Sequence, residues 1–367
     1  MPDRYHMIDY IHEGPEALRR TLEANERPVQ DLAEAMARRG IERVILTGIG
    51  SSHTAMTMAA PLWAAHSRRM VHFVESAEFA SLPAHILNDQ ALVFSVSRSG
   101  ERGLVVDSIQ RARQAGAVSV AITGSAESLL AKQAQQALVT SEGPEITFPK
   151  TKSVIATTGL LMRLALALGS RDDPGPSGHL GELKAAPAAM ARTIEAVEPD
   201  LLRLLPEITR HNLVAVSGSG ANFGVALEGA MKIQEASFVP VYANSTDGLI
   251  NGPVGALNDK WLVIPLVRTG DEQLTAQLLK IAHGFGAHSL VVTEPGITLT
   301  EKPTYCLRLA GRADAALAPL HFLPVLQLLA YYWTVSRGMN PDAPASMTAI
   351  LEAILAPGRQ EPELRKK

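Results

Sequence analysis

Shifted by 170 residues, the sequence falls back on itself in register: Val44, Gly48 and Gly50 land on Val214, Gly218 and Gly220. The same offset carries Arg98-Ser99-Gly100 onto Arg268-Thr269-Gly270, and Gly116, Ala117, Ser119 and Thr123 onto Gly286, Ala287, Ser289 and Thr293, with no gap. Matches that keep one offset over about 80 residues, and that fall at strand ends and turns, mark a duplicated unit. The period is far too long for a solenoid. A chain of 367 residues therefore divides into two copies of one α/β unit, each large enough to bury its own core.

Composition narrows the class. Aromatics make up only 5% and small aliphatic residues dominate, which suits parallel sheets between Ala-rich helices better than a β-sandwich. Short β-branched runs at 43–47, 70–75, 91–96 and 118–122 alternate with helical stretches, and strands are expected again at 213–217, 261–266 and 288–293. Strand–helix alternation implies two doubly wound parallel sheets in tandem. The expected division is an N-terminal helical segment over 1–26, a first unit over 27–169, a Pro-, Gly-, Ser- and Asp-rich linker over 170–181, a second unit over 182–340 opening on a long helix, and a tail over 341–367.

Several functions are disfavoured at this level. The formal charge is −3 with no long run of one sign, so the footprint of a nucleic-acid binder is missing. Cys306 is the single cysteine, which excludes an intrachain disulfide and a cysteine metal cluster and fits a reducing cytoplasm. The charged N-terminus does not read as a signal peptide. The longest apolar runs, 153–168 and 315–333, are interrupted by Arg163, His321 and Pro324 and read as core helices rather than membrane spans. Gly48-Ile49-Gly50 lacks the third glycine of a dinucleotide fingerprint, His53 standing in its place, and the histidines show no ligand spacing. No metal or cofactor is expected.

Ligands of open α/β sheets collect at the carboxyl ends of the strands, beside helix N-termini. Two loops qualify, Gly50-Ser51-Ser52 after the first strand and Ser97-Arg98-Ser99-Gly100-Glu101-Arg102 after the third. Small residues let backbone N–H groups approach an anion, the helix end favours negative charge, and Ser and Arg add donors. A phosphate monoester is the natural guest; the plainer reading is a pair of Ser-capped helices. A third candidate is the helix over 224–237, which sets Glu228, Lys232 and Glu235 at i, i+4 and i+7 on one face. By itself such a stripe reads as a solvated, salt-bridged surface.

Taken together these residues resemble the sugar isomerase (SIS) family, in the double-SIS arrangement of the isomerase half of glucosamine-6-phosphate synthases and of related phosphosugar isomerases, deaminases and deglycases. The resemblance runs over about 12–348 and is carried by Gly50-Ser51-Ser52, Ser97-Arg98-Ser99-Gly100-Glu101, Thr151-Lys152-Ser153, Ala226-Leu227-Glu228-Gly229-Ala230-Met231-Lys232, Gly252-Pro253 and Gln327-Leu328-Leu329-Ala330-Tyr331. It implies that Ser52, Ser97 and Ser99 grip a sugar phosphate, with Arg98 and Arg102 replacing a common Gln and Thr, and that Gly50, Ser51, Lys150 and Asn251 surround the sugar. It implies that Glu235 is the base moving a proton between C1 and C2, that Lys232 lies near the substrate, and that the protein is a homodimer with a shared active site.

Three departures qualify the expected activity. Asn251 stands where the synthases carry a ring-opening histidine, and Ala349 where the family's Schiff-base lysine falls. The sequence also opens directly on the SIS module, so glutamine-dependent amination is not expected. What remains is an isomerase, deaminase or deglycase acting on a ketose or amino-sugar 6-phosphate. The rival class is a non-catalytic phosphosugar sensor, which the missing His and Lys favour and the retained Glu235 opposes.

Overall fold

The parallel sheets form where the sequence places its aliphatic runs. In the computed structural model, which describes residues 5–101, 103–169 and 176–344, β1 (Arg43–Gly48), β2 (Met70–Glu75), β3 (Ala91–Val96), β4 (Val118–Thr123) and β5 (Gln136–Val139) build one sheet in the order β2-β1-β3-β4-β5. The second unit repeats it, with β6 (Leu213–Gly218), β7 (Val241–Ser245), β8 (Trp261–Val267), β9 (His288–Thr293) and β10 (Tyr305–Arg308) ordered β7-β6-β8-β9-β10. Every pairing is parallel. All six residues of β3 and of β4 are buried, as expected of strands covered by helices on both faces. Gly50 and Gly220, one repeat apart, adopt the same left-handed backbone with φ of 58° and 56°, so the duplication extends to the turn that starts each first helix.

The expected strands all form. Those without a sequence signal, β5, β7 and β10, are four- or five-residue strands, too short for an alternation pattern to register. The expected N-terminal segment, 1–26, holds α1 (His6–Ala24), and α2 (Glu26–Arg38) opens the expected first unit before β1. The expected linker differs from what is seen: α8 (Pro176–Ile208) already contains its last six residues. A proline is tolerated in a helix's first turn, where its missing N–H has no helical partner to lose. Residues 170–175 of that linker lie outside the described residues, as do 345–367 of the tail, Ala349 included.

The two units share one continuous apolar core, running from Met7 and Leu18 through Trp63, Leu161 and Val216 to Leu326 and Trp333. At its centre α3 (Ser51–His66) packs against both α7 (Lys152–Gly169) and α9 (Ala221–Ser237), and α9 against α12 (Pro319–Ser336). Gly224 permits the α3–α9 approach, since a Cβ there would lie 2.6 Å from the Met58 backbone nitrogen. Helix α7 is long and apolar enough to cross a membrane, but it is entirely buried among α1, α2 and α3, so it is a core helix.

Candidate active site

The order β2-β1-β3 makes the gap between β1 and β3 a topological switch point, because the chain leaves these neighbouring strands toward opposite faces of the sheet. A cleft of about 670 Å³ opens there. Gly50, Ser51 and Ser52 line it from the start of α3, and Ser97, Arg98 and Ser99 from the loop after β3. Lys150 and the start of α7 form another wall, Lys232 and Glu235 come from α9 of the second unit, and Asp342 and Ala343 sit at the rim. Nine residues expected from sequence thus surround one cavity. Arg102 lies outside the described residues.

In the loop after β3 the serine hydroxyls are held by the backbone. The Ser97 hydroxyl accepts the Gly100 N–H at 3.1 Å, and the Ser99 hydroxyl accepts that of Glu101 at 3.5 Å, so each hydroxyl keeps its own proton to donate outward. Arg98 is one-third exposed, and its Nε lies 3.4 Å from a carboxylate oxygen of the buried Glu142. Burial pushes the Glu142 carboxyl up, against which Thr140 and Arg98 act. The positive charge beside the serines is therefore partly balanced before any ligand arrives. Nothing in the sequence marked Glu142.

The Thr151-Lys152-Ser153 motif is tied into the wall of the cleft, which Ser153 lines. Buried Glu145 accepts the N–H groups of Thr151 at 2.7 Å and Lys152 at 3.0 Å and the hydroxyls of Thr151 and Ser153, which satisfies the first turn of α7. The Lys152 ammonium pairs with Glu13 at 2.5 Å and lies over the Tyr10 ring. Lys150, in contrast, reaches the cleft wall, donating to the Glu145 carbonyl at 3.0 Å and to that of Thr147. Burial lowers its pKa.

Across the cleft, a polar chain joins the two units. Thr54 and Ser51 of α3 donate to the Glu228 carboxylate, the Ser51 contact being 3.1 Å. Lys232 donates to the Ser51 hydroxyl at 3.2 Å and pairs with Glu228 at 3.4 Å and Glu235 at 2.5 Å. Glu228 and Lys232 are essentially unexposed, whereas the Glu235 side chain keeps 22% of its surface open beside the cleft. The solvated-face reading of this stripe is thereby overturned, because α3 covers it. Burial works against the Lys232 charge, but the two carboxylates more than offset it and hold the ammonium above its ordinary pKa. Burial likewise raises Glu228, against the pull of Lys232 and the hydroxyls. Thr54 carried no sequence signal of its own.

Asn251 does not line the cleft of its own chain. It is exposed beyond α10 (Thr246–Ile250), its amide donating to the Asp247 carbonyl and carboxylate at 2.9 Å. The repeat-related loop of the second unit is also unlike the first. There the Glu294 carboxylate accepts the Thr269 N–H at 3.0 Å and hydroxyl at 3.1 Å, filling the place an anion would take. At the 170-residue offset Glu294 falls on Gly124. The duplicated loop is closed by its own side chain.

The SIS domain model matches residues 39–167 and 207–337, one match for each sheet. Among curated proteins, glutamine–fructose-6-phosphate aminotransferase [isomerizing] of Pyrococcus horikoshii is 26% identical over 345 residues, covering 93% of this chain and 56% of that protein. The enzyme of the same description from Pseudomonas putida is 27% identical over 359 residues, covering 94% of this chain and 58% of that protein. Among solved structures, the C-terminal domain of glucosamine-fructose-6-phosphate aminotransferase from Francisella tularensis superposes with a TM-score of 0.80 at 20% identity, covering 93% of this chain and 99% of that one. Tagatose-6-phosphate ketose/aldose isomerase from Escherichia coli gives a TM-score of 0.74 at 21% identity, covering 94% and 97%. These structures share the fold. The chain spans a little over half the length of its curated relatives.

Proposed function

Because the chain belongs to the SIS domain family, we propose that it binds a ketose or amino-sugar 6-phosphate in the cleft between β1 and β3 and moves a proton between C1 and C2. The observation that carries this reading is Glu235, a part-exposed carboxylate at the cleft, held at 2.5 Å by a buried ammonium on the wall facing the serine loop. Ser52, Ser97, Arg98 and Ser99 would hold the phosphate, together with Arg102, three residues after Ser99 in the sequence. Gly50, Ser51 and Lys150 would line the sugar chain.

In this scheme Glu235 takes the proton from the carbon next to the carbonyl, and the C–H electron pair forms the enediol double bond as the carbonyl oxygen gains a proton. The acid form of Glu235 then returns its proton to the former carbonyl carbon, while the hydroxyl of the adjoining carbon gives up its proton to solvent and becomes the new carbonyl. Where the adjoining carbon bears a hydroxyl the product is the isomeric sugar; where it bears an amine the same shift leaves an imine, to which solvent water adds, and the free amine departs as the carbonyl forms. The names of the relatives support this substrate class: they include enzymes of fructose 6-phosphate, of tagatose 6-phosphate and, in Thermotoga maritima, a glucosamine-6-phosphate deaminase. The working particle we propose is a cytoplasmic homodimer of two-unit chains (27–169 and 182–340), in which the Asn251 loop approaches the partner's cleft.

The test is solvent deuterium exchange into a panel of hexose, hexosamine and glycated-amine 6-phosphates. Exchange into one of them is expected. A protein that binds a member of the panel and exchanges deuterium into none is a sensor, the reading that Asn251 and Ala349 favour.

A further inference from the structure

A second cavity of about 300 Å³ lies away from the cleft, between α1, the start of α2, α7 and α8. Arg163 of α7 lines it and is 8% exposed. Its guanidinium has no hydrogen bond or ion pair among the described residues. The other charges of the lining are already matched: Arg19 pairs with Glu23 at 2.6 Å, and Lys184 with Glu26 at 2.8 Å. Glu26 acts on Arg163 only as a more distant charge, and burial lowers the guanidinium's pKa. The remaining walls include Leu22, Leu180 and Leu183.

A guanidinium that lines a cavity with no partner of its own offers its charge and its N–H donors to an anion that enters. We propose that this cavity binds a small monocarboxylate with an apolar body, its carboxylate on Arg163 and its hydrocarbon against Leu22, Leu180 and Leu183. A planar guanidinium matches a carboxylate with two parallel hydrogen bonds. The volume is at the small end for ligand sites and suits a body of about six to eight carbons. One unmatched positive charge calls for one negative charge. The flanking Glu23 and Glu26 carboxylates disfavour a phosphate dianion, so this guest differs in class from that of the cleft.

The experiment is calorimetric titration of the full chain with hexanoate and phenylacetate, each paired with its neutral amide. The carboxylates are expected to bind at least about tenfold more tightly than the amides, reflecting a hydrogen bond to a charged group. Arg163→Gln should remove that preference, and Leu180→Trp, which fills the cavity, should abolish binding of acid and amide alike. No binding of either acid, equal binding of acids and amides, or unchanged binding in a folded Arg163→Gln protein overturns the proposal. If Arg163→Gln does not fold, Leu180→Trp decides, and unchanged acid binding there overturns it too.

Discussion

Lys232 holds its ammonium 2.5 Å from the Glu235 carboxylate and 3.4 Å from that of Glu228, with one partner open to the cleft and the other fully buried. A single cation thus fastens the second unit to Ser51 of the first and fixes the carboxylate proposed to carry the chemistry.

Removing that cation should destabilise the whole chain. Lys232→Met leaves a buried carboxylate uncompensated, a loss of about 3–5 kcal/mol. The double variant with Glu228→Gln should recover part of it, since the stranded charge is gone. Urea unfolding measures both; a single-variant loss below about 1 kcal/mol would mean that the pair is not coupled as its burial implies.

The same pair sets a pH dependence. The folded protein holds the Lys232 proton more tightly than the unfolded chain, whose lysine has the ordinary value of 10.5. The native state therefore binds more protons in that range, and stability falls as pH rises. The contribution should be fully present below about 10.5 and be lost progressively above it. In Lys232→Met this part of the alkaline slope should vanish, which unfolding curves between pH 9 and 12 would reveal.

At Glu235 binding and chemistry should come apart. Glu235→Gln is nearly isosteric but cannot accept a proton, so phosphosugar affinity should stay within a few-fold while deuterium exchange drops by at least about 100-fold. Equal loss of both would assign Glu235 to binding instead.

Sulfate or phosphate in crystals should occupy the Ser97–Ser99 loop and not Arg268-Thr269-Gly270, because the Glu294 carboxylate already takes the Thr269 N–H. Glu294→Gly, which copies Gly124 of the first unit, should open the second loop to an anion. Density at Thr269 in the unaltered protein would contradict this.

In the proposed homodimer Asn251 takes the ring-opening position and its amide cannot exchange a proton there, so substrates that are open-chain or weakly cyclising, such as linear ketosyl-amine phosphates, should react in preference to fructose 6-phosphate. Asn251→His should raise kcat/KM for the cyclic sugar most. An equal gain on linear and cyclic substrates would remove Asn251 from that step.

The duplication, the seven strands long enough to show a β-branched run, and the two loops at adjacent strand ends were all legible in the linear sequence. Each is a local signal: a run of residue types sets a strand, and glycine with serine at its end sets a turn and a helix start. The three short strands were not legible, because four or five residues do not hold enough of a period. The stripe Glu228, Lys232, Glu235 could be read as one helix face but not as a buried one. Covering it required α3, more than 160 residues earlier in the chain, to pack across it and bring Ser51 and Thr54 to Glu228. Likewise, Glu142 beside Arg98, Glu145 under the start of α7 and Glu294 in the second loop are ordinary acidic residues in the sequence. What the sequence by itself determined was the backbone frame and where an anion could meet it. Which charges are buried, and which partner holds each, was decided only in the tertiary structure, since desolvation and pairing depend on what packs on top of a residue and not on its neighbours along the chain.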